Sequence, residues 1–319
     1  IDDTVLYVEN LSDQLSLLKQ ENQKLSIFKK RTLETPTLHS EKKIIPIFII
    51  GSGRSGNTLL RRLLMGSQEI YIPPESYELG NIINTYRRMN RFSWSERCKC
   101  CIGHFASGSD FINFPTQNMH LALDRLNKFP REKQTLANMI DEIYRYFADA
   151  HGRKTIKYWG DKTPMNTSYL KELIEVFPDA KFIHIIRDPI DVVASYIAMG
   201  RYNNIDDAVN RWSNAVYACL DLKEKTSNNY TEIKYEELVS KPYESIYFLL
   251  NFLNLTTPDS IIEDSEKLEL GDVDDHDHHR NVKRNIFRSS VGKGHKELSD
   301  ADKRNVKESL HVLIDKYNY

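Results

Sequence analysis

The first thirty residues place apolar side chains at alternating spacings of three and four, without Gly or Pro. The repeated positions are, in chain order, Val8, Leu11, Leu15, Leu18, Asn22 and Leu25. Asn22 takes position a of the heptad, and a single buried Asn there favours two parallel helices in register. The pattern predicts a coiled coil and a parallel homodimer through residues 1–30. The alternative is an amphipathic helix that packs on its own domain.

The pattern changes after residue 35. Residues 1–35 are predicted to form an amino-terminal unit that comprises the coiled-coil helix and the start of a linker. A linker is predicted over Thr32–Lys43, which contains Pro36. The catalytic unit is expected to span residues 44–319. Its segment from about 77 to 150 is predicted to be a mostly helical, substrate-binding insertion that is broken near Gly103–Pro115.

Buried apolar strands alternate with helices in this second unit. The predicted strands are 44–50, 181–186 and 230–234, and a helix is expected from the glycine-rich turn after the first strand to about Met65. Strands that alternate with helices imply a parallel sheet with right-handed crossovers. The predicted fold class is therefore α/β, with a P-loop-like parallel sheet flanked by helices and preceded by a coiled-coil helix.

Composition excludes some functional classes. The chain has 319 residues and a net charge of -1, which argues against non-specific nucleic-acid binding. No apolar run approaches the roughly 18 residues of a membrane span. Three of the four cysteines are bunched at Cys98, Cys100 and Cys101, which is not typical of a disulfide framework. A reducing, cytoplasmic setting is expected.

The stretch IFIIGSGRSGNTLLRRLL carries the first chemical signal. Gly51 and Gly56 stand where a P-loop has its glycines, and Thr58 stands at its Ser/Thr position, but Asn57 replaces the lysine. Backbone N–H groups and the positive end of a helix predict an anion site. Without that lysine, and with Arg54 earlier in the loop, a single 5′-phosphate fits better than a γ-phosphate. The alternative is a simple strand-to-helix turn.

A second anion site is predicted at the end of the strand 181–186. Arg187 follows this strand, Asp188 can cap the next helix, and Pro189 suits its first turn. Ser195 lies about two turns into that helix, so Arg187 and Ser195 could hold a phosphate by charge-assisted hydrogen bonds. The alternative is a helix cap with an ordinary surface arginine.

Together the two loops resemble the sulfotransferases that use 3′-phosphoadenosine-5′-phosphosulfate (PAPS). The segments GSGRSGNTLL, FIHIIRDPIDVVASY and RSSVGKGHKEL occur in the family's order, and the resemblance covers residues 44 to 300. It is strongest to tyrosylprotein and bacterial carbohydrate sulfotransferases. The resemblance implies PAPS as donor, 3′-phosphoadenosine-5′-phosphate (PAP) as product, a hydroxyl acceptor and no metal.

The resemblance also implies nucleotide-binding residues. Those expected at the 5′-phosphosulfate are Arg54, Ser55, Gly56, Asn57 and Thr58. Those expected at the 3′-phosphate or near the nucleotide are Arg187, Ser195, Tyr235 and, in a C-terminal loop that closes over the 3′-phosphate, Arg288, Ser290 and Lys293. Some relatives have an arginine at position 199; this chain has Met199 there and Arg201 two places later.

The resemblance implies three catalytic residues. Glu75 is the expected base for the acceptor hydroxyl, with Glu78 as its rival. Lys162 is expected to stabilise the sulfuryl group and the bridging oxygen, and Arg54 supports both functions. A solvated glutamate and a surface lysine are the alternatives. His184 is expected in the core of the sheet rather than at the chemistry.

Two further clusters invite a metal interpretation. Cys98, Cys100 and Cys101 lie near His104, but adjacent cysteines suit one tetrahedral site poorly, so reduced thiols are preferred. The run DDHDHH at 274–279 is interpreted as a solvated loop near the active site, with metal binding as the alternative.

Three functions remain open from the sequence. The leading hypothesis is a PAPS-dependent sulfotransferase that acts on a carbohydrate or glycan hydroxyl. The rivals are a P-loop kinase of small molecules and a coiled-coil scaffold with an inactive nucleotide-binding domain. The glycan assignment depends on the expected cytoplasmic setting, not on any acceptor-binding residue.

Overall fold

The computed structural model describes residues 15–21, 35–268, 270–271 and 288–319, except the side chain of Arg288. A five-stranded sheet forms its centre. Its strands are β1 (Ile47–Ile50), β2 (Ile70–Tyr71), β3 (Tyr158–Asp161), β4 (Lys181–Ile186) and β5 (Tyr230–Lys234). Their order is β2-β3-β1-β4-β5, and every pair is parallel. The predicted α/β class is confirmed.

The strand sequences explain why the sheet is central. β1 is buried at every position, and β4 is buried at every position except Lys181, as expected where helices cover both faces. β1 begins at Ile47 rather than at Ile44. β2 and β3 escaped prediction because one has two residues and the other, YWGD, mixes aromatic side chains with glycine and aspartate.

Thirteen helices are described besides the helical residues 15–21. They are α1 (Asn57–Leu64), α2 (Leu79–Tyr86), α3 (Trp94–Ser107), α4 (His120–Asn127), α5 (Leu136–Ala150), α6 (Leu170–Val176), α7 (Pro189–Ala198), α8 (Ile205–Lys225), α9 (Tyr235–Ser240), α10 (Pro242–Phe252), α11 (Ile261–Glu266), α12 (Lys293–Glu297) and α13 (Asp300–Tyr317). Short 3₁₀ segments include Ser109–Asn113, Pro164–Ser168 and Arg288–Ser290.

The segment from 77 to 150 is helical, as the apolar pattern indicates. α3 begins at a capping box, in which Ser93 and Glu96 bond each other's backbone N–H. The helix continues through Gly103 to Ser107, so the break begins at Gly108, later than predicted. The 3₁₀ segment Ser109–Asn113 follows and carries polar side chains towards the carboxyl edge of the sheet.

Two apolar clusters hold the helices on the sheet. In the larger, Phe48 of β1 packs on Phe182 at 5.5 Å and on Trp159 at 6.3 Å between ring centroids. The smaller cluster joins α7, α8 and α13 and includes Trp212, whose indole N–H donates to the Arg187 carbonyl at 3.1 Å. This packing fixes α7 and the end of β4, which carry the second predicted anion site.

The amino-terminal unit is described only in part. Residues 15–21 are helical, whereas the rest of the predicted coiled coil, 1–14 and 22–30, lies outside the described residues. The predicted linker packs on the domain where it is described, because the carbonyls of Thr37 and Leu38 accept from the amides of Leu136 and Ala137. None of the helices described is long and apolar enough to cross a bilayer.

Candidate active site

The two predicted anion loops meet at the carboxyl edge of the sheet. β1 and β4 are paired neighbours, and Ile50 lies opposite His184, so the turns that follow them emerge side by side. Arg54 Nε donates to Ser195 Oγ at 3.0 Å, and an Arg187 guanidinium nitrogen donates to the Arg54 carbonyl at 3.2 Å. Loops more than 130 residues apart in sequence thus form one continuous polar surface.

A cavity of about 860 Å³ opens above this surface. Both loops, the turn after β2, the 3₁₀ segment after α3 and the C-terminal loop contribute to its wall. The predicted site residues that line it are Arg54, Gly56, Asn57, Thr58, Glu75, Arg187, Ser195, Tyr235, Ser290 and Lys293. Arg201 also lines it. A cavity of this size, with convergent polar and charged side chains, is typical of a small-molecule site.

The first loop has the backbone of an anion cradle. Gly56 has φ 96°, and a Cβ there would lie 2.4 Å from the Tyr235 ring, so only glycine fits. No side chain caps α1, and the first two residues of this helix, Asn57 and Thr58, line the cavity. Asn57, at the position of the P-loop lysine, donates from Nδ2 to the Ser52 carbonyl at 2.8 Å. This hydrogen bond stabilises the loop from within.

An ammonium group reaches this loop from elsewhere in the chain. Lys162 directly follows β3, and its side chain is only 1% exposed. Its Nζ lies 3.3 Å from Thr58 Oγ1 and forms an ion pair with Glu75. Lys162 does not line the cavity itself, but it links the first loop to Glu75, which does line it.

Glu75 is held between two donors. Lys162 Nζ donates to one carboxylate oxygen, and the phenol of Tyr77 donates to the other. Tyr77 has φ 56°, an uncommon backbone conformation for a bulky residue. Burial raises the pKa of the Tyr77 phenol, and the adjacent Glu75 raises it further. No sequence signal marked Tyr77, because left-handed conformations of this kind are normally inferred only for Gly, Asn or Asp.

A buried network fixes the segments that carry Glu75 and Lys162. Asp161 accepts from Tyr144 OH at 2.6 Å and from Ser76 Oγ at 3.3 Å on one oxygen, and from Asn166 Nδ2 at 2.6 Å on the other. Burial raises the pKa of Asp161 above its usual value, although the hydrogen bonds from Tyr144 and Asn166 act to lower it. Because Ser76 follows Glu75 and Asp161 precedes Lys162, the network sets the spacing of the ion pair.

Arg187 is the centre of the second loop. It is 8% exposed, donates to Asp191 Oδ2 at 3.2 Å and also donates to the Ser290 carbonyl. Its guanidinium carbon lies 4.4 Å from the centroid of the Tyr235 ring. Arg187 Nε is buried and has no hydrogen-bond partner among the described residues. The Tyr235 ring therefore packs between Gly56 and Arg187 and joins the two loops.

Asp191 ties the C-terminal loop to α7. Its two carboxylate oxygens accept from the backbone N–H of Gly292 at 2.9 Å and of Gly294 at 2.7 Å. The Asp191 side chain is fully buried and also pairs with Arg187. The sequence analysis missed Asp191, although its position in the first turn of α7, four residues after Arg187, was a usable signal.

Positive charge accumulates at the floor of the cavity. Burial lowers the pKa of Arg54; Arg187 lowers it further, whereas Tyr196 and Glu75 act in the opposite direction. Two guanidinium groups, both always charged in proteins, are thus held close together. An anion bound between the loops would relieve this repulsion.

Other predicted residues lie away from the cavity or are only partly described. Ser55 is fully buried, and its hydroxyl has no partner among the described residues. Glu78 bonds His104 Nδ1 at 3.1 Å and does not line the cavity. His184 lies in the core of β4, where Tyr230 OH is 2.8 Å from its Nδ1. Nothing is described of the Arg288 side chain.

Among the described residues, no group of three or more His, Cys, Asp or Glu side chains is arranged so that it could hold a metal ion. Cys98 and Cys101 are buried, and burial raises the pKa of Cys98 to about 12. Burial also raises the pKa of Cys101, so both are inert thiols. The histidine-rich run 274–279 lies outside the described residues.

The chain is similar to known sulfotransferases. Residues 46–259, more than half of the chain, match the model of a sulfotransferase family. An omega-hydroxy-beta-dihydromenaquinone-9 sulfotransferase of Mycobacterium tuberculosis is 27% identical over 66% of this chain and 63% of its own length. The protein-tyrosine sulfotransferase 1 of Danio rerio is 24% identical over 74% of this chain and 60% of its own length. The chain thus spans about three fifths of these relatives.

Solved structures show the same fold. The sulfotransferase domain of the Synechococcus PCC 7002 olefin synthase superposes with a TM-score of 0.61 at 19% identity, over 88% of this chain and 98% of that domain. The sulfotransferase domain of the curacin biosynthetic pathway superposes with a TM-score of 0.54 at 19% identity, over 85% of this chain and 99% of that domain. The chain belongs to the sulfotransferase family.

Proposed function

We propose that this chain transfers a sulfuryl group from PAPS to a hydroxyl acceptor. The observation that carries the proposal is the junction of two anion-binding loops beside a Glu75–Lys162 ion pair in one cavity. A donor with phosphate groups at both ends of one nucleoside requires two such loops. A carboxylate and an ammonium beside one of the loops are the groups that hydroxyl activation and leaving-group stabilisation require.

The residues present fit the donor. The backbone N–H groups around Gly56, with Arg54, Thr58 and the orphaned Ser55 hydroxyl, would hold the 5′-phosphosulfate. Those proposed at the 3′-phosphate are Arg187, Ser195, Ser290, Lys293 and Arg288. Arg187 Nε, buried and lacking a partner within the described chain, is a donor suited to an anion. Tyr235 packs between the two loops and is proposed to contact the nucleotide.

The donor supplies an activated sulfur–oxygen bond when it is bound. Glu75 is proposed to accept the acceptor's proton, since it is the carboxylate among the predicted site residues that lines the cavity. Lys162 and Arg54 place two cations at the 5′ loop, where charge develops on the leaving oxygen. The rate enhancement is therefore proposed to come from positioning of the reactants and electrostatic stabilisation of the transition state, as in phosphoryl transfer.

A carbohydrate or glycan is proposed as the acceptor. Ser109, Asp110 and Asn113 line the cavity beyond Glu75 and supply hydrogen-bonding groups that match a polyhydroxyl molecule. Arg201 is exposed on the same wall. These side chains support the proposal that residues 77–150 form the substrate-binding part of a catalytic domain spanning 44–319.

Transfer of labelled sulfuryl from PAPS to candidate acceptors tests the proposal. We expect transfer to a glycan hydroxyl, and loss of at least about a hundredfold in rate for Glu75→Gln, as general-base catalysis contributes about 10²–10⁴. Glu78→Gln is the matched control and should retain the rate. Transfer instead to a quinol or a peptide tyrosine would overturn the glycan assignment. Absence of transfer to every hydroxyl class would overturn the reaction.

A parallel homodimer through residues 1–30 is also proposed. In the described helical segment 15–21, Leu15 at the expected position a and Leu18 at the expected position d are 56% and 57% exposed. Apolar side chains so exposed are expected to pack on a second helix. Light scattering should give a dimer mass, and Leu15→Asp with Leu18→Asp should give a monomer. A monomeric starting protein would contradict this proposal.

A further inference from the structure

The hydroxyl of Tyr77 donates a hydrogen bond to Glu75, the group proposed as the general base. A general base has to accept a hydrogen bond from the group that it deprotonates. In Glu75 one carboxylate oxygen is engaged by Lys162, and the other accepts from Tyr77. The Tyr77 phenol therefore already forms with Glu75 the hydrogen bond that an external acceptor hydroxyl would need to form.

Polar contacts connect this phenol to the phosphate loop. Thr58 Oγ1 lies 3.3 Å from Lys162 Nζ, Lys162 pairs with Glu75, and Glu75 accepts a hydrogen bond from the Tyr77 hydroxyl. Glu75, Tyr77 and Thr58 all line the same cavity. The phenol is thus held beside the part of the site that is proposed to bind the donor's sulfuryl end.

The backbone on both sides keeps Tyr77 in place. The residue has φ 56°, and strain of this kind persists only where neighbouring contacts impose it. The preceding Ser76 is buried and bonds Asp161 through its hydroxyl and Thr163 Oγ1 through its N–H, both at 3.3 Å. The Tyr77 residue is nonetheless 43% exposed, so the cavity can admit it as a reactant.

We propose that Tyr77 is a self-sulfation site, an inference that rests on the proposed function. When PAPS is bound without an external acceptor, the phenolic oxygen forms a bond to sulfur, and the bond from sulfur to the bridging phosphate oxygen breaks. The phenolic proton passes to Glu75, and the electron pair of the broken bond stays on the phosphate of the departing PAP. The product is a tyrosine O-sulfate, limited to one per chain.

Two other tyrosines at the cavity, Tyr196 and Tyr235, have different surroundings. Tyr196 OH lies 3.1 Å from Ser52 Oγ, and the Tyr235 ring packs against Gly56 and Arg187. Outside the cavity, Tyr243 OH donates to Asp259 Oδ1 at 3.4 Å and the residue is 38% exposed. Tyr243 is therefore a matched control, a half-exposed phenol on a carboxylate without the phosphate loop.

The test uses the full chain and sulfur-labelled PAPS without acceptor, followed by trypsin digestion and mass analysis. The peptide 63–87 contains Tyr77 together with Tyr71 and Tyr86, which are 1% and 0% exposed. We expect up to one sulfuryl group in this peptide, lost in Tyr77→Phe and Glu75→Gln and retained in Tyr243→Phe. An unlabelled peptide, or a label that persists in Tyr77→Phe, would overturn the proposal.

Thermal unfolding with PAP separates this inference from the function on which it rests. If PAP fails to raise the unfolding temperature, the proposed function fails. If PAP raises it and peptide 63–87 stays unlabelled, only self-sulfation fails. The unfolding temperature of Tyr77→Phe without ligand, compared with that of the unaltered chain, shows that a lost label reflects the missing phenol rather than misfolding.

Discussion

The ammonium nitrogen of Lys162 lies 3.3 Å from the hydroxyl oxygen of Thr58. A P-loop lysine would directly precede Thr58, where this chain has Asn57. The cation instead arrives from the end of β3 and is paired with Glu75. One lysine therefore contacts both the Gly51–Thr58 loop and the proposed base.

Replacement of Lys162 by Met should lower the rate of sulfuryl transfer by roughly 10²–10³, the usual effect of removing one preorganised electrostatic group. PAP affinity should change much less, because Arg54, Arg187 and the loop N–H groups remain. Single-turnover transfer from labelled PAPS, together with PAP titration, measures both quantities. Lys157→Met, which removes a lysine that bonds a surface carbonyl, is the control. Equal rates in the two variants would contradict the assignment.

Replacement of Arg187 by Met should weaken PAP binding by roughly 10–100-fold, which corresponds to a charge-assisted hydrogen bond of about 1.5–3 kcal/mol. Affinity for adenosine 5′-monophosphate, which lacks the 3′-phosphate, should be nearly unchanged. Calorimetric titration of both nucleotides gives the two affinities, with Arg304→Met on the exposed face of α13 as control. Equal losses for the two nucleotides would show that Arg187 does not recognise the 3′-phosphate.

Replacement of Asp191 by Asn should loosen the loop that carries Gly292 and Gly294. The amide keeps one acceptor oxygen, so one buried backbone N–H loses its partner, at a cost of about 1–3 kcal/mol in unfolding free energy. Trypsin should cleave this variant after Lys293 faster than it cleaves the unaltered chain, and PAP should slow the cleavage less. Mass analysis of the digest measures both rates. Asp300→Asn, an exposed carboxylate on α13, is the control. Unchanged cleavage would rule out this tether.

Stability should depend on pH through Glu232. Burial raises the pKa of this carboxyl, but hydrogen bonds from His184 and Lys223, and from Tyr317, lower it to a net value well below normal. A depressed folded-state pKa contributes stability above the unfolded pKa of about 4.3, and this contribution is lost as the pH falls through the folded value. Protonation then removes the charge that the donors stabilise.

Glu232→Gln should therefore lower the unfolding free energy by roughly 1–3 kcal/mol at pH 7, since it replaces hydrogen bonds to a charged group. The difference from the unaltered chain should shrink as the pH falls below about 4. Urea denaturation at several pH values measures this difference in unfolding free energy, with Glu237→Gln as the control. A difference that is constant with pH would assign the effect to packing.

The sequence was sufficient to predict three of the five strands and the two loops that meet at the cavity. β1 and β4 are continuous apolar runs, and the Gly51–Thr58 and Arg187–Ser195 segments lie at their ends, where ligands bind in parallel sheets. Neighbouring strands bring these segments together, which is why two local patterns predicted one cavity.

Other features depend on contacts that local patterns do not encode. β3 is short and polar at one end, and its place beside β1 is set by packing of Trp159 on Phe48. Tyr77 adopts a left-handed backbone that neighbouring hydrogen bonds impose, and Asp191 gains its partners from a loop 100 residues later. Long-range relationships of this kind require the folded chain.

The most direct test of the two-loop donor site is calorimetric titration of the unaltered chain with PAP, adenosine 5′-monophosphate and ATP. We predict that PAP binds at least about tenfold more tightly than adenosine 5′-monophosphate, as expected for one additional charge-assisted phosphate contact, and more tightly than ATP. Equal affinity for PAP and adenosine 5′-monophosphate, or tighter binding of ATP, would contradict the account.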